Sequence, residues 1–529
     1  MNKAREKPSA TDRHAKKIAA AIANGRPPPF SPDLDQYLEE SPYEIFSAFD
    51  GAAQHMPPKG KEEALAFGYL FLLQALLERI RYRTDRGYAD AVELIARFQA
   101  DVAARAEVGE VDGYMLDYVS GALHQAKIPT LPQLSAASAK HCRDDESRSI
   151  PADIGAALDG LLQACGNDPF GLVGSLAEFG HSMPEDARAS LASGLALSGR
   201  PEAREAAVLF LLDSSPAVRN AAAGALAQAA SSLSPVDLRR LIAMRNWRPE
   251  NERADVDVVI RNARSAGVAC ARWETGGTEA ILASGIDGAS TQAFLLISPA
   301  GRRRRISSIL TKGAIADAWS GEPETRRRIE AAIAAAGTDL PTIDVSRCYL
   351  DRMLSHGLAL AIDQGVVPPL GLLQVAETIG GVDWQPARID FHKALAELVE
   401  AVPEDMSDPA TIVEVLQRSD ELADIEALEE SWFEDDSQIA EIAAGRYGRG
   451  RAKLVAYLLQ SVVARRRDKW ADVFLRTALW MREAPPEADL CWPELTLVTK
   501  AIAGGRDLTE IGLMRAIAER TIAVLASAG

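Results

Sequence analysis

Cysteine is scarce in this chain and poorly placed for structural chemistry. Cys142, Cys165, Cys270, Cys348 and Cys491 are the five present. They are odd in number, far apart and form no CxxC pair. That spacing excludes a disulfide framework and a cysteine zinc cluster, and fits small core fillers in a reducing cytoplasm. Long hydrophobic runs are missing too. The longest apolar stretch, Ala64 to Leu77, has 14 residues and is broken by Gln74, whereas a membrane helix needs about 20. It reads as a buried helix. Met1 to Ala20 is polar and basic, without the apolar centre of a signal peptide. Positive charge is in deficit: 58 Lys and Arg against 75 Asp and Glu leave a net charge of −17. Such a balance argues against a general binder of nucleic-acid backbone and against attraction to anionic membrane.

Recognisable reaction chemistry is absent as well. No GxxxxGK[ST] phosphate loop, no GxGxxG after a strand, no HExxH and no GxSxG elbow occurs. The seven histidines are widely separated. Asp390 and His392 lie two apart at a helix start, where side chains do not share a face, and His141-Cys142 lacks a second ligand pair. Gly445, Gly448 and Gly450 precede a helix at Arg451, a spacing open to an anion site or to a hinge. No catalytic, metal or cofactor residue is assigned on this basis, and no cofactor is expected.

What the chain does have is helix periodicity punctuated by proline. Prolines 151, 184, 216 and 249 stand 33, 32 and 33 residues apart, and a second set at 169, 201 and 235 interleaves with them. Runs with apolar spacing of three and four follow nearly every one. Proline suits the first turn of a helix, where its missing N–H has no intrahelical partner to lose. The pattern predicts helix, turn, helix at a period of about 33 residues, the mark of an α-solenoid. The clearest unit runs from Pro201 to Gln228. Its turn, Asp213-Ser214-Ser215-Pro216, leads into Val218, Arg219, Ala222, Ala225 and Leu226. Asp213, Pro216, Val218 and Arg219 together resemble the core of a HEAT repeat. The resemblance implies that the aspartate and arginine tie neighbouring turns and that the alanines let helices pack closely.

Three β-prone runs interrupt the helices, Glu279 to Ser284, Thr291 to Ser298 and Arg303 to Leu310. Asp287-Gly288 and Pro299-Ala300-Gly301 supply the turns, so a small antiparallel meander is predicted, one that must lean on helices for stability. The expected fold is all-α dominated: a HEAT-like α-solenoid of paired helices with this β-meander inserted and a C-terminal helical region. The expected divisions are a flexible N-terminal arm (1–33), a helical region (34–127), a linker (128–150), the repeats (151–266), the meander (267–322) and the C-terminal helices (323–529).

Charge is unevenly spread. Glu404 to Glu441 carries fourteen acidic residues and one basic, and Arg446 to Lys469 eight basic and one acidic. Two readings stand: the segments neutralise each other within the fold, or the acidic one docks a basic partner through Trp432, Phe433, Glu434, Asp435 and Asp436, aromatics being favoured interface anchors. Arg302, Arg303, Arg304 and Arg305 sit on a predicted hairpin, where alternation aims two at each face. They read either as a solvated edge that resists aggregation or as a contact for phosphate or carboxylate, with Arg326 to Arg328 adding charge nearby. The leading expectation is a non-catalytic scaffold with a protein partner. The alternatives are a HEAT-like binder of nucleic acid through the arginines, and an enzyme in analogy with HEAT-like bilin lyases.

Overall fold

The computed structural model describes residues 9–24, 31–55, 63–144, 160, 162–166, 168–180, 185–273, 276–339, 341–380, 384–425, 428, 431–434, 437–446, 450–485, 488 and 490–527. Helices dominate it, with one antiparallel sheet. The chain divides into two compact units, residues 1–188 with 436–438, and residues 189–435 with 439–529.

The first unit contains α1 (Ala10–Ala23), α2 (Pro32–Glu40), α3 (Ile45–Gln54), α4 (Glu63–Asp85), α5 (Ala89–Glu107), α6 (Gly113–Gln125), α7 (Pro132–Asp144) and α8 (Pro169–Gly180). The apolar run foreseen as a buried helix lies in α4, where Leu70, Leu72, Leu73, Leu76, Leu77 and Ile80 are all buried. Around it pack α1, α3, α5 and α6.

Two expectations are corrected here. The supposed arm at 1–33 carries α1, which is part of the core. Ser9 and Asp12 form a capping box that starts the helix, and Ala15 and Ile18 are buried. Gly68 permits the close crossing with α4, since a Cβ there would stand 2.3 Å from the Ala15 carbonyl oxygen. Tyr69 donates to Asp12 at 2.7 Å and Thr11 to Glu44 at 2.6 Å. Arg13, Lys16 and Lys17 are exposed on the outer face of this amphipathic helix. Pro27 to Pro29 lie outside the described residues. The supposed linker at 128–150 holds α7, opened by Pro132, with Leu134 and Ser138 buried. Its interior face is partly polar, and the Ser138 and Ser120 hydroxyls meet at 3.4 Å, so apolar spacing alone did not reveal it.

Next come α9 (Glu185–Ala196), α10 (Pro201–Leu209), α11 (Pro216–Gln228), α12 (Pro235–Met244) and α13 (Arg253–Ser265). Pro201, Pro216 and Pro235 each open their helix, as Pro169 opens α8. Pro249 precedes a single tight turn that runs into α13. Pro151 and Pro184 lie outside the described residues. Helix α10 packs on α11 and α12 on α13, while α10 lies beside α12 and α11 beside α13. These are two helix pairs laid side by side.

Arg219 ties the two turns together. The Asp213 carboxylate accepts from its own turn, the Ser215 N–H at 2.7 Å, as short aspartate side chains do. Arg219 donates to the carbonyls of Asp213 and Ser214 at 2.7 and 2.9 Å. Its acidic partner is Glu252, 33 residues on, at 2.8 and 2.5 Å. Arg248 shares that carboxylate at 2.6 Å and also holds the Leu211 carbonyl. Burial lowers the Arg248 guanidinium to about 10 although Glu252 pulls it up. Val218 is fully buried beside this knot.

The sheet has five strands in the order β4-β3-β2-β1-β5, all antiparallel. β1 (Ala280–Ser284), β2 (Thr291–Ala300) and β3 (Arg303–Lys312) fall on the three runs read from sequence. β4 (Ala314–Ser320) and β5 (Thr342–Asp344) were not anticipated. Three alanines in β4 weaken its strand signal, and β5 is only three residues long. Between them runs α14 (Arg326–Asp339).

One face of the sheet is covered. Gln292, Phe294, Leu296 and Ser298 alternate inward along β2. Against the sheet pack α15 (Arg347–Asp363) and α16 (Gly371–Ile379). Gly371 allows this approach, because a Cβ there would stand 1.6 Å from the Ala318 carbonyl oxygen. Glu377 of α16 then receives Arg239 at 2.7 Å and Arg240 at 2.8 and 3.0 Å from the helix pairs. Burial pushes the Glu377 carboxyl up, but the two guanidiniums outweigh it and hold the group below its ordinary 4.5. The remaining helices are α17 (Phe391–Ala401), α18 (Pro409–Arg418), α19 (Ser437–Arg446), α20 (Arg451–Ser461), α21 (Arg467–Met481), α22 (Trp492–Ala503) and α23 (Gly512–Ser527). Helix α21 is buried from Trp470 to Met481 save Asp472, and Trp480 Nε1 donates to the Ala283 carbonyl of β1 at 3.1 Å.

His356 of α15 yields a pH prediction. It is buried, and Nδ1 accepts the Ile389 N–H at 3.2 Å, which requires an unprotonated Nδ1. Desolvation chiefly, with Arg476 adding, lowers it from 6.5 to about 4 although Asp472 opposes. Between those values the unfolded chain binds a proton that the folded chain refuses. Stability therefore falls as pH drops from 6.5 toward 4, by up to about 3 kcal/mol from this group. Urea unfolding of His356→Gln across that window is expected to show a flatter acid limb than the wild type.

Candidate functional site: an arginine rim on the sheet

The β2–β3 hairpin turns at Gly301, whose φ of 63° suits glycine. Beyond it the backbone of Arg304 pairs with Glu324, N–H to carbonyl at 2.9 Å one way and 2.7 Å the other. Arg303 Nη1 donates to the Pro323 carbonyl at 3.2 Å. These bonds bring the start of α14 to the start of β3. Two arginine clusters separated by twenty residues of sequence thereby share one rim of the sheet: 302–305 and 326–328.

Carboxylates neutralise part of this charge. Arg304 Nε donates to Glu279 at 2.6 Å, Arg328 to Glu324 at 2.9 Å and Arg326 to Glu330 at 2.7 Å. With Glu322, four glutamates face seven arginines, so a surplus of three positive charges remains on an acidic chain. Arg302, Arg303 and Arg327 are exposed and none has an ion pair among the described residues.

The uncovered sheet face adjoins the rim. Alternation puts Arg304, Ile306, Ser308 and Leu310 of β3 on that face, and Ser308 stands opposite Trp319 of β4. Trp319 is 48% exposed and Leu310 36%. Exposed tryptophan and arginine are residue types enriched in binding surfaces. Sequence reading missed Trp319 because β4 was not seen as a strand, so nothing placed the residue on a face.

The acidic segment is corrected. Trp432 is wholly buried and its Nε1 donates to the Ile286 carbonyl at 2.8 Å, with its ring 5.0 Å from that of Phe474. Glu434 is 2% exposed. Its carboxylate accepts from Arg466 at 2.6 Å, Lys469 at 3.0 Å and Trp470 Nε1 at 2.8 Å. A buried carboxylate needs such compensation, and the basic segment directly after it supplies two of the three donors. Trp432 and Glu434 are therefore interior residues and not partner anchors. Phe433 is half-buried. Asp435 and Asp436 lie outside the described residues, as does Gly448.

The rim stands between two stretches that resemble known domains. Residues 184–267 match the family model described as the Y4lR second domain, and residues 392–526 that of the Y4lR C-terminal helical domain. No curated protein and no solved structure matches the chain. The first stretch ends where α13 gives way to the sheet, and the second begins at α17. The sheet and the rim fall outside both.

Replacing Glu434 by Gln leaves Arg466 and Lys469 without their shared anion. A loss of roughly 3 kcal/mol is expected, read by guanidinium unfolding. Glu421→Gln, on an exposed pair with Arg418, is expected to cost under about 1 kcal/mol.

Proposed function

We propose that this chain is a non-catalytic interaction scaffold whose arginine rim, with Trp319 beside it, docks an acidic surface of a protein partner. In this reading the helix pairs at 185–265 form a HEAT-like stack, which presents the sheet to the partner. The observation that carries it is the convergence of 302–305 and 326–328 at one end of a sheet face that carries the exposed Trp319, on a chain whose net charge is −17. Like charges are gathered there against their mutual repulsion, which costs free energy unless an anion meets them. Arginine and tryptophan are the residue types that dominate binding energy in interfaces. The helix stack supports the reading in a general way, because such stacks work by presenting extended surfaces. Among the described residues, no helix is long and apolar enough to cross a membrane. Cys165, Cys270 and Cys348 form no disulfide among the described residues, which supports a cytoplasmic setting.

A nucleic-acid backbone is the second reading, since a guanidinium fork suits phosphate as well as carboxylate. The small surplus of charge disfavours it, because backbone binders neutralise many phosphates at once.

The test compares the full-length wild type with Arg302→Glu/Arg303→Glu/Arg327→Glu and with Trp319→Ala. Proteins captured from the native cytoplasm are quantified by mass spectrometry, and binding to duplex DNA is followed by anisotropy at several salt concentrations. The proposal expects a defined acidic protein to be retained by the wild type, lost on charge reversal and weakened by Trp319→Ala, with DNA bound feebly. Identical capture by all three proteins overturns it. Tight, steeply salt-dependent DNA binding that the charge reversal abolishes replaces it with the second reading.

A further inference from the structure

Helix α18 turns little of its surface inward. Leu416 alone of its 10 residues is buried, although the helix packs on α22 and α23. Pro409, Ala410 and Val413 are exposed. Their spacing of three and four sets them on one outer stripe. Val413 is 37% exposed there, with Ile412 and Val415 half-buried to either side.

Carboxylates flank this apolar stripe. Glu400, Glu404 and Asp405 precede α18, and Asp420 and Asp424 follow it. All five are exposed, and none has an ion pair among the described residues. Arg418 is spent on Glu414 and Glu421. Arg515 and Arg520 reach in from α23 but donate to the Gln417 and Ala423 carbonyls. The inner part of the acidic segment is thus neutralised at Glu434 within the fold, and the outer part is not.

The stripe and its carboxylates are the counterpart of the rim. The rim offers the unpaired Arg302, Arg303 and Arg327, and the sheet face beside it offers Trp319 and Leu310. Trp319 stands opposite Ser308, four residues along β3 from Arg304, which is about 14 Å in a strand. Val413 stands seven residues before Asp420, about 10 Å along a helix. One apolar contact and one set of arginine–carboxylate contacts can therefore form together. No ion pair joins the two surfaces within one chain among the described residues.

We propose that the acidic surface received by the arginine rim is the α18 surface of a second copy of this chain. This rests on the scaffold reading for the role of the rim and names its partner. The contact joins two unlike surfaces, so each copy offers one of each and assembly is head to tail. The net charge of −17 opposes the approach of two copies, but at about 0.1 M salt that repulsion is screened beyond about 10 Å. The contacts between unlike charges act at shorter range.

The experiment is sedimentation velocity of the full-length protein over a wide range of concentration, at moderate and high salt. Wild type is compared with the rim reversal Arg302→Glu/Arg303→Glu/Arg327→Glu, with the α18-surface reversal Glu404→Lys/Asp405→Lys/Asp424→Lys, and with an equimolar mixture of the two. All six positions are exposed, and circular dichroism checks that each variant stays folded. The wild type is expected to gain mass with concentration and to lose that gain at high salt. Each reversal alone is expected to stay monomeric. Their mixture is expected to associate again, because each reversed surface then meets its opposite on the other variant. Trp319→Ala is expected to weaken the association by about tenfold. A wild type that is monomeric throughout, association that survives in both reversals, or a mixture that stays monomeric overturns the proposal. If the monomeric wild type still captures a different acidic protein through the rim, only this inference falls. If neither capture nor self-association responds to the rim reversal, the scaffold reading falls with it.

Discussion

Glu377 is held by two arginines that reach it from more than 130 residues away in sequence. A carboxylate buried to that degree would be expelled or protonated if left alone. Arg239 and Arg240 keep it charged, and in doing so they fasten α12 to α16. Helix α16 is fastened in turn to the sheet, through the close approach at Gly371 and the contact of Thr378 with Ser320. The same arrangement recurs at Glu252, which joins Arg219 to Arg248, and at Glu434, which joins Arg466, Lys469 and Trp470. Each knot places one carboxylate among several donors. Removing the carboxylate strands buried cations at Glu377 and Glu252 and half-buried ones at Glu434, so these charges act as registration devices for the second unit.

This use of acid in the interior bears on the surface. Three of the four glutamates near the rim are committed to Arg304, Arg326 and Arg328, and seven arginines outnumber the four. A chain with a large acidic surplus nevertheless presents a local excess of positive charge, beside the uncovered sheet face that carries Trp319. The interaction reading depends on that contrast. It does not depend on the HEAT resemblance, which concerns how the surface is carried.

Much of the helical architecture was legible in the sequence, because proline at the first helical position and apolar spacing of three and four are local signals. Pro201, Pro216 and Pro235 marked their helices directly. The first three strands were legible for the same reason, since each is a short apolar or β-branched run bounded by a turn. What failed was partnership. Trp432 and Glu434 look like a polar, aromatic surface when read in one dimension, and only the fold shows that Arg466, Lys469 and Ile286 surround them. Arg219 finds its carboxylate in Glu252, a residue with no local signal. The convergence of 302–305 with 326–328 was guessed from nearness in sequence, yet it rests on backbone pairing between Arg304 and Glu324 that no periodicity encodes. Trp319 was invisible because the alanines of β4 concealed a strand.

The direct test of the charge-locked frame is hydrogen–deuterium exchange on the full-length Glu377→Gln protein. With two buried guanidiniums left facing a neutral amide, the account predicts faster exchange localised to α12, α16 and β4, while the β1–β2 ladder and α21 keep their wild-type protection. Exchange indistinguishable from the wild type in α12, α16 and β4 would contradict it, and would mean that apolar packing alone holds the helix pairs to the sheet.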